Sequence, residues 1–229
     1  MIRDNINNIY QDISHICNKA GRDPKEVILL AVTKYTTKDK AVEAIQAGIR
    51  HIGENRLQDA ESKFAQIGDH LLGVKKHMIG HLQTNKVKKV LQVFDMIQSV
   101  DSLKLAREIE KQATKMNRQA DILIEVNTGG EEQKYGVSVE GTLPLIKEIA
   151  AFDHIQVLGL KTMAPFVEDE NVIRKCFRDM KNLSEEIKKE FEGSNKVAMQ
   201  YLSMGMTHDY KIALEEGANM LRIGTGIFQ

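Results

Sequence analysis

Short runs rich in Val, Ile and Leu recur along the chain, each followed by a longer polar segment with helical spacing, and this alternation limits the fold more than any other feature. Eight runs have strand length and β-branched content: 28–33, 50–53, 77–80, 96–100, 122–127, 156–161, 197–203 and 220–224. Between them lie amphipathic segments such as 102–117, where Leu103, Ala106, Ile109 and Ala113 share one helical face and Lys104, Arg107, Glu108 and Lys111 point away from it. Strand alternating with helix implies a parallel sheet. Eight β-α units closing on themselves take about 250 residues, so 229 residues leave nothing for a second domain. The expected architecture is a single (β/α)8 barrel domain over 1–229. An open doubly wound sheet competes, but it would begin with a Gly-rich strand-to-helix turn, and here the first run leads into Thr33-Lys34-Tyr35. The last run ends a few residues before Gln229, leaving little room for a closing helix. The opening segment, with Ile2, Ile6, Ile9, Ile13 and Ile16 on one face, is expected to form an extra N-terminal helix over that gap.

Composition removes several function classes. With 32 basic and 32 acidic residues the formal charge is +0 and no basic stripe stands out, which argues against nucleic acid as partner. The longest apolar runs are far short of the roughly 20 residues of a membrane helix. The first residues are polar and mixed in charge, unlike an export signal, so a cytoplasmic location is expected. Two cysteines, Cys17 and Cys176, form no framework or ligand cluster, and none of the 7 histidines stands in a zinc-type array. No metal is expected.

In a parallel barrel the C-terminal strand ends and the loops after them carry the chemistry, with phosphate bound after strands seven and eight. Ser203-Met204-Gly205-Met206-Thr207 and Arg222-Ile223-Gly224-Thr225-Gly226 occupy those two places. Their glycines let backbone N–H groups approach an anion, Ser203 and Thr225 offer hydroxyls, and a helix beginning near Thr207 would add its positive end. Lys34 follows the first strand directly. A lysine at a dry strand end, near Arg222 and Lys38, would have its protonated form disfavoured by desolvation and like charge, leaving an amine nucleophilic toward an aldehyde. Asn55 after strand two, His81 and Asn85 after strand three and Asn127 after strand five also fall at strand ends, although each alone suits a loop cap. Lys134, in the glycine-bearing segment 129–136, has the reach to be a second amine.

Taken in order, Ala31-Val32-Thr33-Lys34, Ile52-Gly53-Glu54-Asn55, His77 to Lys86, Val126-Asn127, Lys134-Tyr135-Gly136, Met163-Ala164-Pro165, Leu202 to Met206 and Leu221 to Thr225 closely resemble the single-domain pyridoxal phosphate homeostasis proteins, relatives of the alanine racemase N-terminal barrel. The resemblance implies a fold-type III pyridoxal phosphate barrel with an internal aldimine on Lys34. It places the phosphate on Ser203, Gly224, Thr225 and the backbone near Met206, with Asn55 and His81 among the cofactor-binding residues. The arginine matching Arg222 lies beside the pyridine nitrogen in that family. A charged guanidinium there keeps the nitrogen unprotonated and weakens the ring as an electron sink. The related racemases carry a second domain that supplies a tyrosine base and closes a dimer. The resemblance therefore implies a monomeric cofactor holder in vitamin B6 and amino-acid homeostasis, not an enzyme of robust turnover, with apo-enzymes that use the cofactor as candidate recipients. A racemase or decarboxylase acting on a small amino acid is the alternative, and a lysine aldolase on a sugar phosphate would share the amine and the anion cup. Lys161 where the family more often has an apolar residue, Gly226 after Thr225, and a tail stopping at Gln229 are departures from the family pattern.

Overall fold

The computed structural model describes residues 1–129 and 135–229. Eight parallel strands form a closed ring: β1 (Ile28–Val32), β2 (His51–Glu54), β3 (Lys75–Met78), β4 (Met96–Val100), β5 (Ala120–Asn127), β6 (Ile155–Lys161), β7 (Val197–Ser203) and β8 (Met220–Ile223). Each pairs with its neighbours in sequence, and β1 pairs with β8 to close the ring. A two-residue strand, Val137–Ser138, pairs with the end of β5 outside the ring. The expected (β/α)8 barrel is therefore present. The third strand starts earlier than the apolar pattern suggests, because Lys75 and Lys76 at its solvent end are hydrogen-bonded strand residues despite their charge.

Helices α1 (Ile2–Lys19), α2 (Lys38–Gln46), α3 (Leu57–Ile67), α4 (Val87–Val93), α5 (Leu103–Met116), α6 (Val139–Ile149), α7 (Glu170–Glu190), α8 (Tyr210–Glu215) and α9 (Thr225–Phe228) cover the outside. In α5, Leu105, Ala106, Ile109 and Ala113 face the sheet, and the Ser102 hydroxyl caps the first turn by accepting from the Leu105 N–H. α9 is a single turn, and α1 packs beside it and α8, burying Ile2, Ile6, Ile9 and Ile13. Asn5 Nδ2 donates to the Ile227 carbonyl at 3.0 Å, and Arg22 ties the other end of α1 to the Leu214 and Ala218 carbonyls at 2.7 Å. The opening helix thus does what its isoleucine face predicts.

Two cores result. The larger lies between strands and helices, and the smaller, inside the ring, is built on Leu30, Met96, Leu123, Leu158 and Met220. Polar side chains share the ring interior with that cluster, His51 standing in register with Leu30, His77 with Met96 and Ser203 with Met220. Among the described residues no helix is long and apolar enough to cross a membrane.

Candidate functional site

A cavity of about 380 Å³ opens at the C-terminal end of the strands, within the usual size range of small-molecule sites. Its wall includes Val32, Ile79, Met163 and Met206 as apolar surface, with Lys34, Asn55, His81, Arg222, Gly224 and Thr225 among them. Seven of the eight residues expected to bind a ligand thus meet in one place. A larger cleft of about 1120 Å³, lined by Arg22, Lys181 and Tyr201 among others, lies where β7 and β8 begin. That is the end of the barrel that serves stability in this fold, so the smaller cavity is the functional candidate.

Lys34 stands immediately beyond β1. Thr33 before it is buried, its hydroxyl donating to Glu54 Oε1 at 2.7 Å, and Lys63 from α3 bridges Glu54 and the Thr33 carbonyl. The strand end bearing the amine is therefore fixed by three side chains. The Lys34 side chain itself is exposed, with Nζ 5.1 Å from the centre of the Tyr35 ring. The dry setting expected for it is absent, because the strand ends at the cavity rim and not within it.

Ser203 lies elsewhere than expected. Its side chain is fully buried inside the ring, accepting from Arg222 Nη1 at 2.8 Å and donating to Gln98 Oε1 at 2.8 Å. It does not line the cavity. The hydroxyls that do are Thr225 and Thr207, joined at 3.0 Å, with the Gly226 N–H donating to Thr207 Oγ1 at 3.1 Å. Nor does a helix begin at Thr207: α8 starts at Tyr210, and the Met206 N–H is taken by the Asp209 carboxylate. Thr207 is not among the residues the sequence singles out as ligand-binding, although its place after Gly205-Met206 in the seventh loop is the available signal.

Arg222 enters from β8 and is almost completely buried, its Nη2 donating to the Thr162 carbonyl at 2.6 Å. Burial pushes its pKa down to about 10, against the pull of Glu125 and Asp209, so the guanidinium stays charged at neutral pH. Behind it runs a chain of polar side chains through the ring: Ser203, Gln98, His77 and His51. Gln98 Nε2 lies 2.9 Å from His77 Nδ1, and His77 Nε2 lies 2.9 Å from His51 Nδ1. Since the amide donates, His77 Nδ1 accepts and Nε2 carries the proton toward His51. Both rings are therefore neutral, in keeping with burial, which pushes His77 down to about 3 and His51 to about 4.

The cavity floor also holds an ion pair that the sequence did not disclose. Lys161 Nζ lies 2.6 Å from Glu125 Oε1, both side chains being almost wholly buried. Strand alternation from the interior residue Leu158 would turn Leu160 inward and Lys161 outward. A register shift at Gly159, where φ is +154° and a Cβ would lie 1.9 Å from the Tyr201 carbonyl oxygen, reverses this. At the rim, His81 stacks on Tyr135 with ring centres 4.1 Å apart and Nδ1 3.5 Å from Asp101. Asn127 is not among the cavity-lining residues, and Lys134 lies outside the described residues.

An amine, a fixed guanidinium, two hydroxyls and apolar walls suit a flat, anionic, carbonyl-bearing ligand. The alanine racemase N-terminal domain model matches residues 5–229. The pyridoxal phosphate homeostasis protein of Aquifex aeolicus is 39% identical over 97% of this chain and 95% of its own, and that of Pasteurella multocida is 33% identical over 99% and 96%. The solved structure of PipY from Synechococcus elongatus, with PLP bound, superposes with a TM-score of 0.86 at 28% identity over 100% of both chains. The chain belongs to the alanine racemase N-terminal domain family and, within it, to the pyridoxal phosphate homeostasis proteins.

Proposed function

We propose that this protein binds pyridoxal 5′-phosphate reversibly through Lys34 and takes part in intracellular vitamin B6 and amino-acid homeostasis, without robust turnover of its own. The observation that carries the reading is the meeting of the Lys34 amine and the buried Arg222 guanidinium in one cavity at the active end of a parallel barrel. The residues present fit the group. When bound, the cofactor supplies an aldehyde that condenses with an amine and a pyridine ring that withdraws electrons.

The chain's own residues account for holding it. Lys34 offers the amine from a strand end braced by Thr33, Glu54 and Lys63. Thr207, Thr225 and the glycines beside them form the cup for the phosphate, taking the place expected of Ser203. Val32, Ile79 and Met206 line the cavity as apolar surface and would exclude water from an aromatic ring held there. Arg222 has donors only and is held in place by Ser203 and Thr162, so it would donate to a ring nitrogen set against it and disfavour that nitrogen's protonation. Such a ring would be a poor electron sink, which favours holding over carbanion chemistry. We place the protein in the cytoplasm as a monomeric single-domain barrel that serves apo-enzymes using the cofactor. Racemisation assays of purified protein with alanine and other small amino acids separate this from the racemase reading. Turnover near the median enzyme rate of about 10 per second would overturn the holder assignment.

A further inference from the structure

The cavity contains a second amine, and its surroundings differ from those of the first. Lys161 reaches the cavity from β6 with 2% of its side chain exposed, donating to Glu125 Oε1 at 2.6 Å and to the Ile79 carbonyl at 3.2 Å. On the reading that this cavity takes pyridoxal phosphate, we propose that Lys161 is a second carbonyl-reactive amine there, receiving the aldehyde from Lys34 or in its absence, with Glu125 as the base that accepts its proton.

An amine attacks a carbonyl only when uncharged. Lys34 is exposed at the cavity rim. Lys161 and Glu125 stand out of water, where two ions must both be desolvated and a shared proton returns them to a neutral pair at much lower cost than in solution. Burial pushes the Lys161 pKa down and the Arg222 charge acts in the same direction, opposed by Glu125. The proton travels along an existing hydrogen bond, so no water or further base is needed.

The chemistry balances. Lys161 Nζ gives one proton to Glu125, and its lone pair forms a bond to the aldehyde carbon. The carbonyl oxygen leaves as water with the two remaining amine protons, giving a carbon–nitrogen double bond, and Glu125 returns its proton to that nitrogen, restoring the ion pair. When the aldehyde carbon is already joined to Lys34, the Lys34 amine departs in place of water. Nothing is oxidised or reduced.

A purely structural tie between β5 and β6 would show the same distances, so the test reads the covalent step itself. Parent protein, Lys34→Ala, Lys34→Ala/Lys161→Met and Lys34→Ala/Glu125→Gln are incubated with increasing pyridoxal phosphate, reduced with borohydride and mapped by peptide mass spectrometry. Circular dichroism checks that each is folded. Lys34→Ala should carry saturable pyridoxyl label at Lys161, the Lys161→Met variant should lose that label, and Glu125→Gln should slow it by about a hundredfold, within the range of general-base contributions. A folded Lys34→Ala protein labelled at Lys134 or at surface lysines but not at Lys161 overturns the proposal. An unchanged labelling rate in the Glu125→Gln variant overturns the role of the base. Label on Lys34 in the parent separates these failures from failure of the cofactor reading, which would leave the parent unlabelled at every cavity lysine and remove the proposal with it.

Discussion

Replacing Ser203 by alanine should weaken the barrel and leave the ligand cup nearly intact. The hydroxyl accepts one hydrogen bond from a charged group, Arg222 Nη1, and donates one to Gln98, both at 2.8 Å in a site with no exposure. A hydrogen bond to a charged group contributes about 1.5–3 kcal/mol, and each buried partner left unsatisfied costs about 1–3 kcal/mol, so the loss should be about 3 kcal/mol after partial relaxation. For a chain of this size each kcal/mol lowers Tm by about 2–4 °C, giving a fall of roughly 6–12 °C. Thermal unfolding of the ligand-free variant, followed by circular dichroism, measures this directly. Titration with pyridoxal phosphate at a temperature where the variant is fully folded should show affinity within about tenfold of the parent, because no direct charged contact is removed. Unchanged Tm with affinity reduced by about a hundredfold would refute the assignment and restore Ser203 as a phosphate ligand.

Further outcomes follow from the same geometry. Thr207→Ala and Thr225→Ala should each weaken cofactor binding by about 1.5–3 kcal/mol, roughly tenfold to a hundredfold, with little change in Tm, as measured by equilibrium dialysis. The folded-state pKa of His77 is depressed, so between its unfolded value near 6.5 and about 3 the unfolded chain binds the extra proton and stability falls as pH falls. Urea unfolding between about pH 7 and 5 should show a slope approaching 1.4 kcal/mol per pH unit below 6 from this residue, and His77→Gln should flatten it. In Gly80→Ala the new Cβ would lie 2.3 Å from the Asn55 backbone oxygen, so the strand end carrying Asn55 must shift at a cost of roughly 1–3 kcal/mol, measurable by urea unfolding.

The barrel was legible because eight apolar runs and the helical stripes between them report burial on two faces, which local periodicity encodes directly. The place of Lys34, Arg222 and Thr225 at the cavity was legible because strand ends are easy to locate once the strands are known. Ser203 misled for a related reason: it is the last residue of β7, and only the direction of its side chain, into the ring and not toward the rim, separates a bracing role from a ligand. Alternation failed on β6, where the shift at Gly159 turns Lys161 inward against the pattern set by Leu158, hiding the pair with Glu125. The polar chain from Arg222 to His51 joins five strands, so no local window of sequence contains it.

The visible absorption spectrum of purified protein, titrated with pyridoxal phosphate and then reduced with borohydride, tests the central claim most directly. A covalent link to Lys34 predicts a yellow protein whose band saturates at one equivalent, disappears on reduction, and leaves the pyridoxyl group on the Lys34 peptide. The same titration of Lys34→Ala should lack that band in its parental form while the phosphate cup still holds cofactor. A parent protein with no new band at saturating cofactor, or one whose reduced product carries the pyridoxyl group mainly away from Lys34, would contradict the account.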